Sequence, residues 1–485
     1  MTPSYRKYAG VPESAPTCDD RPMDTHESAM DEVARLTDLI AQVDPQIRSV
    51  CDMNLHASAE ADTADRERAD GHLRSPLHGR PVLIKDNIDT AGLASTAGSL
   101  ALADTPPSVD AVLVRRLRDA GMVVLGKTNL SEWANIRDEH SVSGWSAHGG
   151  LTRNPYALNR TAWGSSSGSG AAIGARLAPY AIGTETNGSI TAPAAACGCV
   201  GMKPTVGLVP TDGIVPISWT QDAPGPMTLT VAENAALLDV LAGTDTVKAL
   251  EAGVRGRRIG VPRDLWGYST HADAAAERVL AMLSAAGAEI VDDLALPTLK
   301  SIEDDHVLNL MLVELVHGLA KYLGRRGGEV RTLADVVAFN KANADAELPW
   351  FGQSLFEKAL TLDGPSSPQY LDAADACAAA GLAELTRTLG EHELDALLAP
   401  AMAPPTPIDL VNGDHGSGGA SDSSALAGAP ILTVPVEMAH GLPVAVSVWG
   451  ERGSEQTLYA IGRAFEKARD ASLGPLPAPT YVEVV

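Results

Sequence analysis

Two clusters rich in glycine and serine, separated by an apolar run, constrain what this chain of 485 residues can fold into. They occupy residues 164–170 (GSSSGSG) and 184–189 (TETNGS). A flexible linker is the ordinary interpretation of such a composition. A linker, however, would not enclose a helix-like run at residues 171–177 and a strand-like run at residues 180–182. Glycines that alternate with hydroxyls let the backbone approach a ligand and aim several N–H groups at one point, so the pattern predicts a cradle for an anion or an oxyanion.

The serines of this stretch need a base before they can act as nucleophiles. None of the 12 histidines falls inside residues 163–204, and the nearest upstream is His148, although a histidine distant in sequence can fold close. A lysine can serve instead if burial lowers its pKa. Lys85 ends a short apolar strand predicted at residues 81–84 and is followed by polar side chains that can satisfy an inward-pointing ammonium. Lys85 is therefore the candidate base, against the common alternative of a surface lysine, and Lys127 is the second candidate.

Helix and strand patterns alternate on both sides of the serine stretch. Apolar spacing predicts a helix at residues 111–120 followed by a strand at residues 122–126. It also predicts a strand, a helix and a strand at residues 257–261, 274–286 and 289–291. This alternation is typical of α/β architecture, and no long linker interrupts it. We therefore expect a single large α/β domain.

Composition argues against several partners. The chain has 37 Lys and Arg against 61 Asp and Glu, and its net charge of −24 disfavours nucleic acid and anionic membranes. There is no run of 18 apolar residues and no signal-peptide pattern at the N-terminus, so no membrane span is expected. Five cysteines without a regular framework fit a reducing, cytoplasmic location. Cys197 and Cys199 lack a second pair and are expected to be small buried side chains rather than metal ligands.

Further segments accompany the two serine clusters and Lys85. They are KTNLSEWAN at 127–135, SGWS at 143–146, TRNPY at 152–156 and GSSSG at 164–168. Together they resemble the amidase signature family, and in particular its peptide amidases, from about residue 45 to the C-terminus. The resemblance implies a Ser-cisSer-Lys triad with Ser189 as nucleophile, Ser165 as the bridging serine after a cis peptide bond, and Lys85 as base. The separation of 24 residues between the two serines agrees with the family pattern, and Lys127 is left with a structural role.

The resemblance also implies the fold and the remaining site residues. The expected fold is α/β, a single large domain in which helices cover a central mixed β-sheet. The backbone N–H groups of Thr186, Asn187, Gly188 and Ser189 would bind the oxyanion, each donor contributing ~3 kcal/mol, with Ser166 beside them. No metal and no cofactor is implied. A metallohydrolase would need a ligand motif such as HExxH, and the first glycine cluster lacks the GK[ST] ending of a phosphate-binding loop.

Peptide amidases release ammonia from the C-terminal carboxamide of peptides and leave internal peptide bonds intact. The expected substrate is therefore a small-molecule or short peptide amide, converted through an acyl-enzyme to the free acid. The alternatives are an amidase for aryl acylamides or esters, an acyltransferase that forms amides and, less favoured, a glutamyl-tRNA amidotransferase A-type subunit. Thr191 stands where many members have Arg, which disfavours that subunit, and Asn187 stands where most have Gly. No nucleic acid or membrane partner is expected, and the chain is expected to be a monomer or homodimer.

The chain is divided by prediction into a polar N-terminal tail, residues 1–24, and an amidase signature domain, residues 25–485. Within that domain, residues 300–375 are helical in pattern and carry large aromatic side chains. They are predicted to form a cap that shapes the substrate cavity. Additional packing helices with no contact to substrate are the alternative interpretation.

Two local predictions concern element boundaries. A helix is predicted to begin after a cap at Asp24 or Thr25 and to be ended by Pro45, because proline lacks the N–H that a helix interior requires. The Gly, Ser and Asp content of residues 413–424 predicts a loop.

Overall fold

The structure, a computed structural model, describes residues 28–416 and 418–483. The predicted tail, residues 1–24, and the predicted helix caps Asp24 and Thr25 lie outside the described residues. Among the described residues, one large sheet of 11 strands is accompanied by two small two-stranded sheets. In chain order the strands are β1 Val50–Met53, β2 Pro81–Lys85, β3 Val123–Thr128, β4 Trp145–Ser146, β5 Gly150–Leu151, β6 Arg153–Asn154, β7 Ala157–Thr161, β8 Tyr180–Glu185, β9 Val200–Lys203, β10 Ala223–Thr228, β11 Arg258–Pro262, β12 Glu289–Leu294, β13 Ala396–Pro400, β14 Ile431–Ala439 and β15 Leu442–Trp449.

The large sheet is mixed, as predicted. Its strand order is β1-β3-β2-β8-β10-β9-β14-β15-β13-β11-β12. β2 is parallel to β3 and β8, and β11 is parallel to β12 and β13. The other pairs of this sheet are antiparallel. Parallel pairs require crossover connections, which helices provide.

Helices cover both faces of the sheet. They are α1 Ala29–Ile47, α2 Ala57–Ala69, α3 Val112–Asp119, α4 Ser167–Gly174, α5 Thr191–Cys197, α6 Val231–Ala242, α7 Thr270–Ala285, α8 Pro297–Ser301, α9 Asp304–Arg326, α10 Leu333–Ala342, α11 Ala344–Glu347, α12 Ser354–Ala359, α13 Pro368–Ala378, α14 Glu384–Glu391, α15 Ser421–Ala427 and α16 Glu455–Leu473. Along β2, Val82 and Ile84 join one apolar cluster with α3, α6, α7 and α16, while Leu83 joins a second with α1, α2 and α4. Alternate residues of a strand point to opposite faces, so β2 is buried from both sides.

The segment predicted as a cap is helical. It contains α9 to α12 and most of α13. Apolar residues of α9, α10 and α12 pack in one cluster with Trp133, Val215 and Ile217. These helices therefore lie against loops that approach the edge of the large sheet.

By length and composition, α9 is long and apolar enough to cross a membrane. In its most apolar window, however, 44% of the residues are buried inside the protein. Core helices of soluble proteins pass the same test, so this one helix is weak evidence for a membrane span.

Two predicted boundaries are wrong. α1 begins at Ala29, with the Ser28 side chain accepting the cap hydrogen bond, and it continues through Pro45 to Ile47. The helix continues because Ile47 is fully buried, and it ends only where Arg48 adopts a left-handed conformation. Residues 413–424 are not loop throughout, because α15 begins at Ser421.

Candidate active site

Three neighbouring parallel strands end at one edge of the large sheet, and the candidate site lies there. β2 ends at Lys85 between β3, which ends at Thr128, and β8, which ends at Glu185. The first serine cluster leads into α4, and the second joins β8 to α5. Ligands of open α/β sheets bind beyond the carboxyl ends of the strands. Both serine clusters are therefore placed where such a ligand would bind.

Lys85 is fully buried and surrounded by oxygen atoms. Its Nζ lies 2.8 Å from Ser165 Oγ and 3.0 Å from Ser166 Oγ. It also lies 2.9 Å from Thr184 Oγ1 and 3.2 Å from the Thr184 carbonyl oxygen. All of these partners are uncharged. Through these contacts the Lys85 side chain points inward, toward both serine clusters.

Burial holds the pKa of Lys85 well below its usual value of 10.5. The negative charges of Glu185 and Asp222 act in the opposite direction but are the smaller effects. A desolvated lysine with hydroxyl neighbours loses its proton readily, because no adjacent carboxylate stabilises the ammonium. Lys85 can therefore be a neutral amine that accepts a proton from Ser165.

Ser165 and Ser166 are held by backbone contacts on both sides. The Gly164–Ser165 peptide bond is cis. The Ser165 carbonyl accepts from Ser131 N–H at 3.1 Å, and Ser166 N–H donates to the Ser189 carbonyl at 3.0 Å. A Cβ on Gly164 would lie 2.1 Å from Ser131 Oγ, so no larger residue fits there. The structure thus brings the two serine clusters together through Ser166 and Ser189.

The Glu185 carboxylate braces the second cluster. Its Oε2 accepts from Ile190 N–H at 2.7 Å and from Thr191 N–H at 2.8 Å. The Thr191 hydroxyl donates to the same oxygen at 3.1 Å. Gly188, with φ of +80°, takes the positive φ that the turn requires. The loop before α5 is therefore fixed at both of its ends.

The side chains of Thr186 and Asn187 have partners of their own. Thr186 Oγ1 donates to Asp222 Oδ1 at 2.6 Å. Asn187 Nδ2 donates to Asp422 Oδ1 at 2.8 Å, and its Oδ1 accepts from Ser421 Oγ at 2.7 Å. Asn187 therefore links the loop to the start of α15.

Asp222 connects this loop to a neighbouring one. Its Oδ2 accepts from Ile217 N–H at 2.8 Å and from Ser218 N–H at 3.0 Å, while its other oxygen accepts from Thr186. Burial raises the pKa of Asp222 to about 6, against these three hydrogen bonds, which lower it. Asp222 therefore links the backbone of residues 217–218 to the Thr186 side chain.

A cavity of about 290 Å³ is lined in part by Thr184 and Thr186 of the second serine cluster. Its polar side includes Asn87, Thr184 and Thr186, and Asn87 Nδ2 donates to Thr184 Oγ1 at 3.0 Å. The remaining wall is mostly apolar, formed by residues of the segments 206–217 and 219–224. Trp219 stands at this wall with 48% of its surface exposed. The cavity can accept an apolar group whose polar end reaches the serine clusters.

Lys127 lies on the adjacent strand but in different surroundings. Its Nζ donates to the Ile88 carbonyl and, at 2.8 Å, to Ser95 Oγ, and lies 3.7 Å from Asp86 Oδ1.

Residues 121–128 also match the phosphate-loop pattern GxxxxGKT. They form the buried strand β3 instead of a loop opening a helix, so they cannot cradle a phosphate.

Sequence reasoning missed two groups that shape the site. Thr184 bonds Lys85 directly, and its position at the end of a strand beside β2 is the signal that could have found it. Glu314 of α9 is fully buried and accepts from Ser218 Oγ, Thr220 N–H, Thr220 Oγ1 and Tyr370 O–H. No local pattern links Glu314 to these residues, which lie 56 to 96 positions away in sequence.

Comparisons with known proteins identify the family of the chain. The family model described as Amidase matches residues 31–459. The chain belongs to the amidase family. The native peptide amidase from Stenotrophomonas maltophilia is 42% identical to this amidase, with a TM-score of 0.88 over 94% of this chain and 96% of that chain. An amidase family protein from Bacillus anthracis str. Ames is 31% identical, with a TM-score of 0.81 over 93% of this chain and 89% of that chain.

A further relative is named as an amidotransferase component. The A-type subunit of the glutamyl-tRNA(Gln) amidotransferase from Myxococcus xanthus is 34% identical over 464 residues, 89% of this amidase and 92% of the relative. The predicted family, its likeness to peptide amidases, the predicted fold and the prediction of an amide-hydrolysing enzyme are confirmed. The amidase signature fold is the 11-stranded mixed sheet with helices on both faces.

Proposed function

We propose that this amidase hydrolyses the C-terminal carboxamide of short peptides to the free acid and ammonia through a Ser-cisSer-Lys triad. The observation that carries the proposal is the buried Lys85 amine, 2.8 Å from Ser165 Oγ and without a carboxylate among its hydrogen-bond partners. The likeness to peptide amidases supports the choice of substrate.

The proposed reaction begins with two proton transfers. Neutral Lys85 accepts a proton from Ser165 Oγ, which accepts one from Ser189 Oγ, and the Ser189 oxygen attacks the carbonyl carbon. As the C–N bond breaks, a proton returns to the leaving nitrogen, which departs as ammonia and leaves an ester on Ser189. Water then attacks the ester, releases the acid and restores the Ser189 hydroxyl. A positioned base of this kind contributes ~10²–10⁴-fold to the rate.

The oxyanion of each tetrahedral intermediate is assigned to the backbone N–H groups of Thr186, Asn187, Gly188 and Ser189. These groups directly precede the two N–H groups that the Glu185 carboxylate binds. Ser166 is predicted from the sequence to lie beside these donors. Its hydroxyl contacts Lys85 and Thr184, and its N–H binds Ser189, so we assign it a supporting role.

The domain division and the cap are part of the proposal. Residues 25–485 are assigned to one amidase signature domain, and residues 300–375 to a cap over the cavity. Two contacts support the cap. Apolar residues of α9 pack against Val215 and Ile217 of the cavity wall, and Glu314 binds Ser218 and Thr220. A cap on one side leaves room for an extended acyl group but not for a bulky leaving group.

The test is a product analysis on an N-protected dipeptide amide. We expect ammonia and the free dipeptide acid in equal amounts, with the internal peptide bond uncut by mass spectrometry. Ser189→Ala should lower kcat by ~10⁶-fold, as removal of a serine nucleophile does elsewhere. Ser169→Ala is the matched control, because this buried serine of the same stretch bonds only Thr128 and the Ile182 carbonyl among its described contacts.

Other products would reject the proposal in distinct ways. Cleavage of the internal bond would make the enzyme a peptidase. Anilides or esters turned over much faster than primary amides would favour an aryl acylamidase or esterase. Accumulation of a new amide when an amine is added would favour an acyltransferase. Activity only with an added partner chain and charged tRNA would favour the amidotransferase component, which one relative at 34% identity is named as.

A further inference from the structure

Three potential metal ligands from different parts of the chain converge beside Lys127. They are Cys51 on β1, Asp86 directly after β2 and His148 in the turn before β5. One ligand atom from each lies within 4.8 Å of the others. This group lies outside the serine clusters, and the proposed hydrolysis makes no use of it.

A fourth ligand is already in contact with the group. His148 Nε2 lies 2.7 Å from Asp52 Oδ2. Adjacent residues of a regular strand point to opposite faces, but the pairing of β1 with β3 shifts register between Val50 and Asp52. Such a bulge re-aims a side chain. It explains how Cys51 and Asp52, neighbours in sequence, can both approach His148.

Asp86 carries an oxygen that lacks a hydrogen-bond donor. Asp86 is fully buried, and its Oδ2 binds the Thr96 N–H and hydroxyl. Its Oδ1 is buried and has no hydrogen-bond partner among the described residues. The Lys127 ammonium at 3.7 Å neutralises charge, but its hydrogen bonds go to Ile88, Thr90 and Ser95. Buried carboxylate oxygens normally accept a hydrogen bond, so the unpaired Oδ1 of Asp86 needs an explanation.

We propose that Cys51, Asp86 and His148 bind a divalent zinc-class metal ion, with Asp52 as the fourth ligand. A thiolate, an imidazole and carboxylates are the donors that tetrahedral Zn²⁺ takes, at bond lengths of about 2.0–2.3 Å. Such bonds set neighbouring donors about 3.5 Å apart. The ligand atoms of Cys51, Asp86 and His148, now within 4.8 Å of one another, would therefore close by up to about 1.3 Å, while His148 Nε2 and Asp52 Oδ2, now 2.7 Å apart, would separate by about 0.8 Å. Cys51, Asp52 and His148 are each partly exposed, which gives the ion a path from solvent.

The charges around the site fit this ion. A thiolate and two carboxylates carry three negative charges, and a divalent ion with the Lys127 ammonium carries three positive ones. Without metal, burial and the two nearby aspartates hold the pKa of the Cys51 thiol well above its usual value. The hydrogen bond to Asp52 raises the pKa of His148. Thiol and imidazole groups bind a metal ion in their deprotonated forms, so metal binding releases protons.

The site is tested by metal binding to the full chain after treatment with a chelator. Zn²⁺ is titrated in competition with a chromophoric chelator, and Co²⁺ is added as a spectroscopic probe. We expect one equivalent of either ion, a near-ultraviolet thiolate-to-cobalt band, and the intense visible bands of four-coordinate Co²⁺.

Two variants and one control decide the outcome. Cys51→Ser should abolish the thiolate band, and His148→Gln should weaken Zn²⁺ binding by at least ~10-fold. Cys377→Ser, which changes another free cysteine away from the site, should change neither. Circular dichroism confirms that each variant is folded. If Cys51→Ser does not fold, His148→Gln at its partly exposed position still decides.

Wild-type affinity in His148→Gln, or a thiolate band that survives in Cys51→Ser, would overturn the site. Failure of wild-type protein to bind one equivalent would overturn it as well. The readout is binding, so the result is independent of whether the proposed peptide-amide hydrolysis is correct.

Discussion

Lys85 and Lys127 are fully buried lysines on adjacent parallel strands, yet their surroundings differ. Lys85 contacts only uncharged oxygens, whereas Lys127 has the Asp86 carboxylate at 3.7 Å. Burial lowers the pKa of both, and it holds the pKa of Lys85 well below the usual value. Under the proposed mechanism, in which Lys85 is the base, burial does not distinguish the two lysines, whereas the absence of a contacting carboxylate does.

The largest expected difference is kinetic. Under the proposed mechanism, Lys85→Met should lower kcat by about 10⁴-fold, because the assigned proton acceptor for Ser165 is removed. Lys127→Met should leave kcat of the folded enzyme within about tenfold of wild type, since Lys127 contacts neither serine cluster in the described structure. Steady-state kinetics on a peptide amide, corrected for the folded fraction, measures both. Equal losses in the two variants would break the comparison.

Stability should show the opposite ranking. Lys127→Met leaves the Asp86 carboxylate buried without its cation, which should lower the free energy of unfolding by about 3–5 kcal/mol. Adding Asp86→Asn should recover part of that loss, because the remaining pair is then neutral. Urea denaturation followed by fluorescence gives the midpoints. A double variant no more stable than Lys127→Met would show that the ion pair is not the cause.

The pH dependence of kcat/KM sharpens the assignment. In the proposed mechanism the neutral amine is the active form, so kcat/KM should fall about tenfold per pH unit as the pH drops below the lowered pKa of Lys85. Lys127→Met should retain this acid limb. Profiles from initial rates between acidic and alkaline pH test it. Loss of the acid limb in Lys127→Met would show that Lys127, and not Lys85, is the titrating group.

The smallest expected effect concerns the stability of the base itself. Because the pKa of Lys85 is lower in the folded state than the unfolded value of 10.5, the unfolded chain binds more protons between the two values. Stability therefore rises with pH through that window, and the penalty is complete below it. Lys85→Met should raise the urea midpoint at pH 7 and flatten its rise toward alkaline pH. A variant less stable than wild type at pH 7 would contradict this sign.

Sequence predicts the parts of the site that depend on local patterns. Lys85 is recognisable because an apolar strand ends there, and β2 spans Pro81–Lys85 as that pattern requires. The second serine cluster is predicted to follow a strand, and β8 runs into it and ends at Glu185. The roles of Ser165 and Ser189 come from the family resemblance and remain predictions.

Contacts between distant segments could not be predicted. Asn187 binds Asp422, and Ser218 binds Glu314, across separations of 235 and 96 residues. Such pairs are fixed by how helices pack on the sheet and leave no periodic trace in the sequence. The same limit explains the error at Pro45, since the burial of Ile47 outweighs the local preference for ending the helix.

Glu314 holds the loop at residues 218–220 through Ser218 and Thr220, the neighbours of Trp219. Its carboxylate fixes Ser218 and Thr220, while the indole of Trp219 between them remains 48% exposed at the cavity wall. Substitutions at residue 219 can therefore alter the cavity without releasing the backbone. Exposed substitutions of this kind change stability by only about 0.5 kcal/mol. Single substitutions at residue 219 should therefore reshape the cavity of this amidase while leaving the free energy of unfolding almost unaffected.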